Sequence, residues 1–236
     1  MAITYVGGSA NFSADSNNTD AVSLTLPTHA TGDIIIIFAG GFDGTTSGIT
    51  WSTPSGYTAL ADHTATPGND PTIYSWYKIA TSASETYQTT VPDTACKHAA
   101  GVIVFRGVDT TTPLDVTPTE TDVLNDVLNA HAAITTSTDN GAILLLEGIP
   151  SAGTTERPLT AGAPSGYTLG PVSTPNQNYS TLASAYLLDY GTAGTKTPGV
   201  WTHTPPSSNA SEKAQLTIAL RPATASSKPH YYYAQL

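Results

Sequence analysis

The chain has 236 residues, with 8 Lys and Arg against 18 Asp and Glu, and therefore a formal net charge of −10. Only 11% of its residues are charged, whereas soluble domains average about 25%. Small and polar residues replace the missing charge, among them 20 Gly and 17 Pro, which are poor helix formers, so helix-rich fold classes are excluded. A hydrophobic fraction of 39% is enough for a buried core, and the low charged fraction excludes charge-driven disorder.

Charge and cysteine content also restrict the partners and the compartment. The few, dispersed Lys and Arg residues make no basic stripe, so we expect no nucleic-acid partner. The single cysteine, Cys96, has no second cysteine for an internal disulfide. The start of the chain lacks the features of a signal peptide, and its longest apolar run, residues 34–39, is too short for a membrane helix. We therefore expect a soluble protein made in the cytoplasm, without membrane insertion.

Short β-branched runs alternate along the chain with clusters of Gly, Pro, Asn and Ser, a pattern typical of antiparallel sandwiches and barrels. The predicted strands span residues 3–6, 22–26, 33–39, 57–61, 72–80, 86–91, 99–108, 132–136, 142–147, 167–172, 181–189, 197–203 and 215–221. Residues 120–129 alone have apolar pairs at a spacing of four, which predicts one or two helical turns there.

Four anchors of the first half recur in the same order in the second half, and this internal repeat governs the predicted organisation. The pairs are DIIII at 33–37 with GAILLL at 141–146, PSGYT at 54–58 with PSGYT at 164–168, YSWYKIA at 74–80 with ASAYLLD at 183–189, and GVIVFR at 101–106 with LTIALR at 216–221. Either half alone would leave one sheet face wet. We therefore predict one all-β antiparallel sandwich of jelly-roll type over residues 1–223.

Within this sandwich, we expect pseudo-symmetric halves at about 1–115 and 130–223, followed by an extended tail at 224–236. The repeated PSGYT predicts a turn in each half. Proline would fix φ at the first corner, glycine would accept a positive φ at a later one, and tyrosine would anchor the next strand in the core. This is an argument about the fold and not about function.

The anchors resemble a family of β-sandwich domains found in phage structural proteins and in large bacterial surface proteins. The resemblance covers about residues 1–223 and is a fold signature that brings no catalytic residues with it. It implies a structural module of a virion or a cell surface, such as a decoration, appendage or fibre component. The motifs that carry it are Gly32-Asp33, Trp51 with PSGYT, YSWYKIA, Glu85, FRGVD at 105–109, PLD at 113–115, and in the second half GAILLL, PSGYT, Trp201 and LTIALRP at 216–222.

From this resemblance we expect a non-enzymatic bacteriophage virion protein on the virion surface, without cofactor or metal. It would be a capsid decoration or head-fibre subunit, or a tail-associated component, made in the host cytoplasm. Its partners would be sister subunits, in a homotrimer by analogy, and capsid or tail proteins. The predicted docking residues are Tyr231, Tyr232, Tyr233 and Leu236, because tyrosines favour interfaces. Folding of this tail onto its own sandwich has equal standing.

Two other functions stay open. A host-glycan-binding adhesion module would use aromatic side chains, for which Trp51, Trp76 and Trp201 are the candidates, although Trp76 at mid-strand is more typical of a core. A polysaccharide-cleaving enzyme needs two carboxylates facing each other across a cleft. Asp43 and Glu147 follow equivalent strands of the two halves and are the pair considered.

Other chemistry finds little support in the sequence. Cys96 and His98 enter an apolar strand, which favours a structural cysteine over a catalytic thiolate. The six histidines are dispersed, so no zinc site is indicated. Residues 15–20 (DSNNTD) offer oxygen ligands for calcium, but a solvated turn is the favoured interpretation because the repeated Asp pattern of calcium loops is missing.

Overall fold

The computed structural model describes residues 1–13, 19–42, 49–64, 71–85, 87–93, 95–123, 130–149, 160–173, 181–204 and 213–224. Within these ranges the chain is all-β and contains no helix, as the composition predicts. The strands are β1 (Thr4–Phe12), β2 (Val22–Thr25), β3 (Ile34–Phe42), β4 (Thr58–Thr64), β5 (Thr72–Ile79), β6 (Tyr87–Thr90), β7 (Lys97–Arg106), β8 (Thr119–Val123), β9 (Ile134–Thr136), β10 (Ala142–Ile149), β11 (Thr160–Gly162), β12 (Thr168–Ser173), β13 (Thr181–Leu188), β14 (Gly194–Lys196), β15 (Thr202–Thr204) and β16 (Lys213–Leu220).

The strands form two five-stranded antiparallel sheets, each built from one half of the chain. The first sheet has the order β1-β7-β3-β5-β4 and the second has the order β8-β16-β10-β13-β12. Three two-stranded sheets accompany them, namely β2-β6, β9-β14 and β11-β15. The fold is thus an antiparallel β-sandwich with additional strand pairs.

The two five-stranded sheets correspond in register as well as in strand order. Ile37 pairs with Trp76 on one side and with Val102 on the other. Leu145 pairs in the same way with Ala185 and Thr217, the positions that the sequence repeat aligns. This correspondence favours the predicted pseudo-symmetry, which stays a prediction together with the jelly-roll description.

Both faces of each central strand are buried, which explains why β3 and β10 are continuous apolar runs. Side chains of a strand point alternately to its two faces. Ile34, Ile36 and Phe38 join the core between the two sheets, which also contains Leu144 and Leu146 of β10. The alternate side chains of β3 pack into a second core that includes β2, and those of β10 pack into a third core that includes Ile134 of β9.

The predicted helical turns at 120–129 are wrong for the part that the structure describes, because Thr119–Val123 is strand β8. Its backbone pairs with β16, and its side chains serve two faces. Thr121 Oγ1 accepts a hydrogen bond of 2.9 Å from Ala132 N, whereas Glu120 and Asp122 face His63 of β4. The alternation of side chains along the strand therefore overrides the spacing of four between the apolar pairs. The rest of the predicted helical segment, residues 124–129, lies outside the described residues.

Two strands differ from the predicted boundaries for clear physical reasons. β1 continues to Phe12 through Gly7-Gly8-Ser9-Ala10-Asn11, which has no β-branched residue, because it pairs along its length with β7. A Cβ at Gly8 would lie only 2.5 Å from Val102 O, so glycine permits this close approach. The strand predicted at 197–203 is wrong for residues 197–201, because β14 ends at Lys196, before Pro198, which lacks the amide hydrogen that a ladder needs, and β15 begins only at Thr202.

The pairing of Phe38 with Gly101 yields a test of packing between the sheets. A Cβ at Gly101 would lie 2.6 Å from Phe38 Cε2, so we expect Gly101→Ala to lower the free energy of unfolding by about 1–3 kcal/mol. Adding Phe38→Leu should recover part of this loss, because the smaller side chain leaves room for the new methyl group. Denaturant unfolding of the single and double variants measures the coupling.

Gly148→Ala is the matched control for this test. A Cβ at Gly148 would lie 3.5 Å from Thr72 O and 3.8 Å from Ile73 Cβ, both ordinary contacts. We therefore expect a change of at most about 0.5 kcal/mol for this variant. Equal effects of the two glycine substitutions would contradict the packing described for Gly101.

Candidate functional site

The two PSGYT motifs form equivalent turns. Tyr57 N donates to Pro54 O at 3.1 Å, and Tyr167 N donates to Pro164 O at 2.9 Å. Gly56 and Gly166 have φ of 80° and 85°, the left-handed conformation that the third position of a type II turn requires. The proline accepts the bond from the first position, so the expectation that it fixes the first corner is wrong. The motif residues thus serve the fold.

Asp33 and Arg106 form a bidentate ion pair at one end of the first sheet. Arg106 Nε donates to Asp33 Oδ1 at 2.8 Å, and Arg106 Nη2 donates to Oδ2 at 2.7 Å. Ala30 N also donates to Oδ2. Burial by itself raises the pKa of Asp33, but these hydrogen bonds and the guanidinium charge outweigh it and hold the pKa below its ordinary value. The carboxylate is committed to its partners and is not a free acid or base.

The first and the last described residues of the chain meet at Gly107. It has φ of 84° and packs closely against the carbonyl of Ala2, where a side chain would not fit. Ala223 N donates to Gly107 O at 2.8 Å, and the amino group of Met1 donates to Ala223 O at 2.5 Å. We call this end of the sandwich, with residues 1–2, 107–108 and 221–224, the terminal end.

Asp115, of the PLD motif, accepts several hydrogen bonds near the terminal end, within the second half of the chain. Its carboxylate accepts hydrogen bonds from Ser137 N at 2.6 Å, Ser137 Oγ at 2.8 Å and Tyr190 Oη at 3.3 Å. Burial raises the pKa of Asp115, but the bonds from Ser137 and Thr138 exceed this effect, so the net direction is downward. Asp33 and Asp115 are therefore both structural carboxylates.

The outer face of the second sheet carries buried polar side chains where the first sheet is apolar. In the first sheet Ala39 pairs with Ala100. At the corresponding place in the second sheet Glu147 pairs with Gln215, and Gln215 Nε2 donates to Glu147 Oε1 at 3.0 Å. This difference between the halves marks the candidate site. We call these buried polar residues, together with the tryptophan that bonds to them, the outer polar cluster. Its members, all at most 2% exposed, are His131, Glu147, Trp201, Lys213, Gln215 and Thr217.

A directional chain of hydrogen bonds runs through the outer polar cluster. Trp201 Nε1 donates to His131 Nε2 at 2.7 Å, so the histidine proton belongs on Nδ1, which lies 3.3 Å from Thr217 Oγ1. The Thr217 hydroxyl in turn donates to Ala132 O at 3.2 Å. Sequence reasoning missed His131, Gln215 and Thr217, although Gln215 and Thr217 stand out as polar residues at positions that are apolar in the first half.

The cluster favours a structural role over catalysis. Burial lowers the pKa of His131 to about 4, although the Glu147 carboxylate and a bond to the Leu216 backbone act in the opposite direction. A general base needs an available lone pair, but Nε2 already accepts the Trp201 N–H. The chain of bonds instead fixes residues 131–132 and 201 on the second sheet.

The structure buries all three tryptophans proposed as glycan contacts. Trp51, Trp76 and Trp201 are 6%, 2% and 1% exposed. Trp76 stacks on Tyr74 with ring centroids 5.8 Å apart, and Trp51 meets the His98 ring edge-on at 5.6 Å. Stacking on a sugar needs an open ring face, and none of the three tryptophans presents one in this structure. Their role as glycan contacts therefore stays a prediction that their burial does not support.

The other predicted sites divide into buried residues and residues outside the described ranges. Glu147 lies on the outer face of the second sheet, turned away from the first sheet, and its suggested partner Asp43 is not among the described residues. Cys96 is buried, with Sγ 3.6 Å from His98 Nδ1, while the two ring nitrogens of His98 lie 3.0 and 2.9 Å from the carbonyl oxygens of Cys96 and Asp20. Most of the 15–20 segment and the tail residues Tyr231, Tyr232, Tyr233 and Leu236 lie outside the description.

The described residues contain neither a candidate metal centre nor a membrane-spanning helix. No three described His, Cys, Asp or Glu side chains form a group that could hold a metal ion. The described part of the chain also has no helix with the length and apolar character needed to cross a membrane.

Comparison with family models, with curated proteins and with solved structures finds no match for this chain. The resemblance to phage and bacterial-surface β-sandwich domains therefore rests on the sequence motifs. The structure accounts for Asp33, PSGYT, Arg106, Gly107 and Asp115 through turns, ion pairs and close approaches within the fold.

His131 makes a pH prediction with a definite sign. Its pKa is about 4 in the fold and about 6.5 in an unfolded chain, so the unfolded state binds the extra proton as the pH falls between these values. The contribution of neutral, buried His131 to the free energy of unfolding is therefore fully present above pH 6.5. About 2–3 kcal/mol of it is lost by pH 4.5. His131→Gln, whose side-chain oxygen can still accept from Trp201, should remove this part of the loss in denaturant unfolding.

Trp201→Phe is the control for this measurement. It deletes the indole N–H but keeps the buried imidazole, so it should lower stability at both pH values while the pH-dependent loss remains. A His131→Gln variant that loses as much stability between pH 7 and pH 4.5 as the wild type would contradict the buried, neutral state of His131.

Proposed function

We propose that this chain is a non-enzymatic structural protein of a bacteriophage virion that acts through protein–protein contacts. It would serve as a capsid decoration or head-fibre subunit, or as a tail-associated component. The observation that carries the proposal is the structural use of the motifs behind the family resemblance. Asp33, Arg106, Gly107 and Asp115 make contacts within the fold, which supports a scaffold role for the pattern that carries the resemblance.

The layered core suits such a role. Each five-stranded sheet is covered on both faces, and the buried acids Asp33 and Asp115 are held by several hydrogen bonds. Little charge is left for the surface, since only 11% of the residues are charged. Lys and Glu are depleted in protein interfaces, so a surface poor in them is compatible with coverage by neighbouring subunits.

The terminal end is the place from which we propose attachment. Ala223 lies against Met1 and Gly107, so the last described residues, 223 and 224, are at this end of the sandwich. The segment after residue 224 contains three successive tyrosines and Leu236. Aromatic side chains bury much area at low entropic cost and are enriched at the centres of interfaces. We propose that the tail docks on a sister subunit or on the particle.

Virions made with and without the gene for this chain test the proposed function. We expect purified wild-type particles to contain the chain in a fixed copy number, and electron microscopy to show density that the deletion particles lack. Added purified chain should restore that density. Absence of the chain from purified virions would contradict the proposal. So would specific binding on a glycan array without particle binding, or release of reducing ends from host polysaccharide.

Removal of residues 226–236 tests the docking tail separately. We expect particle binding to fall at least about tenfold (1.4 kcal/mol), while the melting temperature of the sandwich stays unchanged. Replacement of Tyr231, Tyr232 and Tyr233 by Ser should reproduce the loss, and Lys228→Gln in the same segment should not. Undiminished binding by the truncated chain would contradict docking through the tail.

A further inference from the structure

The bend between β9 and β10 carries a chemically labile pair of residues. Asn140 and Gly141 form the single Asn-Gly pair of the sequence. Asn140 is exposed, and its φ of 59° makes it one of two described non-glycine residues in the left-handed region. Gly141 is buried and leads directly into β10. We call these two residues, with Tyr190 and Gly191 beside them, the β10 corner.

The fold explains why these two residue types stand at the β10 corner. Among residues with a side chain, Asn and Asp are the ones most often found in the left-handed conformation. At Gly141, a Cβ would collide with Leu220 O and with the Tyr190 hydroxyl. Any other residue at position 141 would therefore displace β16 or Tyr190. The backbone geometry thus favours Asn followed directly by Gly.

The same pair permits a reaction between neighbouring groups of the chain. The Gly141 nitrogen attacks Cγ of Asn140 and closes a five-membered cyclic imide, while the Cγ–Nδ2 bond breaks and ammonia leaves with the proton of the Gly141 amide. Water then adds to one of the two imide carbonyls. Cleavage between Cγ and the nitrogen gives Asp, whereas cleavage between the backbone carbonyl carbon and the nitrogen gives isoaspartate. Glycine has no Cβ and so offers the least steric resistance to the attack.

We propose that Asn140 is a site of spontaneous deamidation in the folded chain, with water as the co-reactant. Asn140 is exposed, so water reaches its amide without unfolding of the sandwich. It is tied to the fold through its backbone, since Asn140 N donates to Gly191 O at 2.6 Å. The proposal concerns the chemistry of this bend and is independent of the proposed virion function.

Asn11 of β1 is an internal comparison, because it is also exposed but its surroundings oppose the reaction. Its Oδ1 accepts a hydrogen bond from Phe12 N at 2.9 Å, and its Nδ2 donates to Ser23 O at 3.3 Å. The backbone at Asn11 and Phe12 also lies in register with β7. The bulky residue that follows Asn11 hinders attack by its own nitrogen. We therefore expect Asn11 to keep its amide.

Hydrogen bonds of Tyr190 control how easily the ring closes at Asn140. Closure requires the peptide unit of Gly141 to turn about the Cα–C bond of Asn140, which breaks the bond of 3.1 Å from Tyr190 N to Gly141 O. The Tyr190 hydroxyl is itself held, because it donates to Thr138 O at 3.0 Å and lies 3.3 Å from Asp115 Oδ2. Local openings cost less free energy than global unfolding. The reaction should therefore follow opening of the β10 corner.

The two products differ in their effect on the fold. Asp keeps the main chain and adds one exposed charge near Asp139 and Asp189, which lie on the same bends, and exposed charges change stability little. In isoaspartate the main chain runs through Cβ and Cγ and is one atom longer. That extra atom comes directly before Gly141, where Leu220 and Tyr190 leave no room for displacement. Isoaspartate should therefore disturb the start of β10.

Incubation of the purified chain at neutral pH, followed by peptide mapping, tests the proposal. We expect the mass gain of an amide-to-acid conversion at Asn140 to appear at least about tenfold faster than at Asn11, equivalent to about 1.4 kcal/mol of activation free energy. Isoaspartyl methyltransferase should label the peptide that contains residue 140 in wild type and not in Asn140→Gln, whose longer side chain closes a ring more slowly. Equal rates at Asn140 and Asn11, or no conversion at Asn140, would overturn the proposal.

Two variants separate local opening from global unfolding. Tyr190→Phe removes the hydroxyl bonds that hold the β10 corner and should raise the rate at Asn140. Gly101→Ala destabilises the packing between the sheets, away from this corner, and should leave the rate at Asn140 unchanged. Equal acceleration by the two variants would show that the reaction waits for global unfolding, which would overturn deamidation in the folded chain.

Asn140→Asp separates the effect of the charge from that of the longer main chain. This variant should melt close to the wild type, whereas the isoaspartate fraction of the incubated chain should melt at a lower temperature. Equal melting temperatures for the isoaspartate fraction and Asn140→Asp would contradict the disturbance of β10 that we expect from isoaspartate.

Discussion

The structure depends on one constraint, which is that each five-stranded sheet must be covered on both faces. Ile34, Ile36 and Phe38 of β3 face the second sheet, while Ile35 and Ile37 face the β2 side. Neither face of this strand can be left in water without losing the hydrophobic stabilisation of several large side chains. The partner sheet and the outer strand pairs are therefore required by the composition of the central strands.

The same constraint explains why the buried polar side chains of the second sheet are hydrogen-bonded. On the outer face of the second sheet, Glu147, Gln215 and Thr217 take positions that Ala39, Ala100 and Val102 occupy in the first sheet. Buried polar groups are tolerated when they are hydrogen-bonded, and the bonds from Trp201 through His131 to Thr217 meet that requirement. The second sheet thus uses polar contacts to hold the segments that cover its outer face, at positions where the first sheet is apolar.

Sequence reasoning recovered the parts of the fold that are written in local patterns. Continuous apolar runs located β3, β7, β10 and β16, and the repeated anchors fall at positions with corresponding strand pairings in the two sheets. It missed β8, because alternation of Thr119, Glu120, Thr121 and Asp122 has meaning only once their separate partners are known. It also missed His131, since a lone histidine in a polar stretch shows neither its burial nor Trp201, seventy residues away.

The proposed structural function requires that the two halves of the chain form a single cooperative unit. Scanning calorimetry tests that claim most directly. We expect one unfolding transition whose calorimetric and van't Hoff enthalpies agree, because the core between the sheets draws on Ile36 from one half and Leu144 from the other. Leu144→Ala should shift this transition as a whole. Two separate transitions, with only one of them moved by Leu144→Ala, would contradict it.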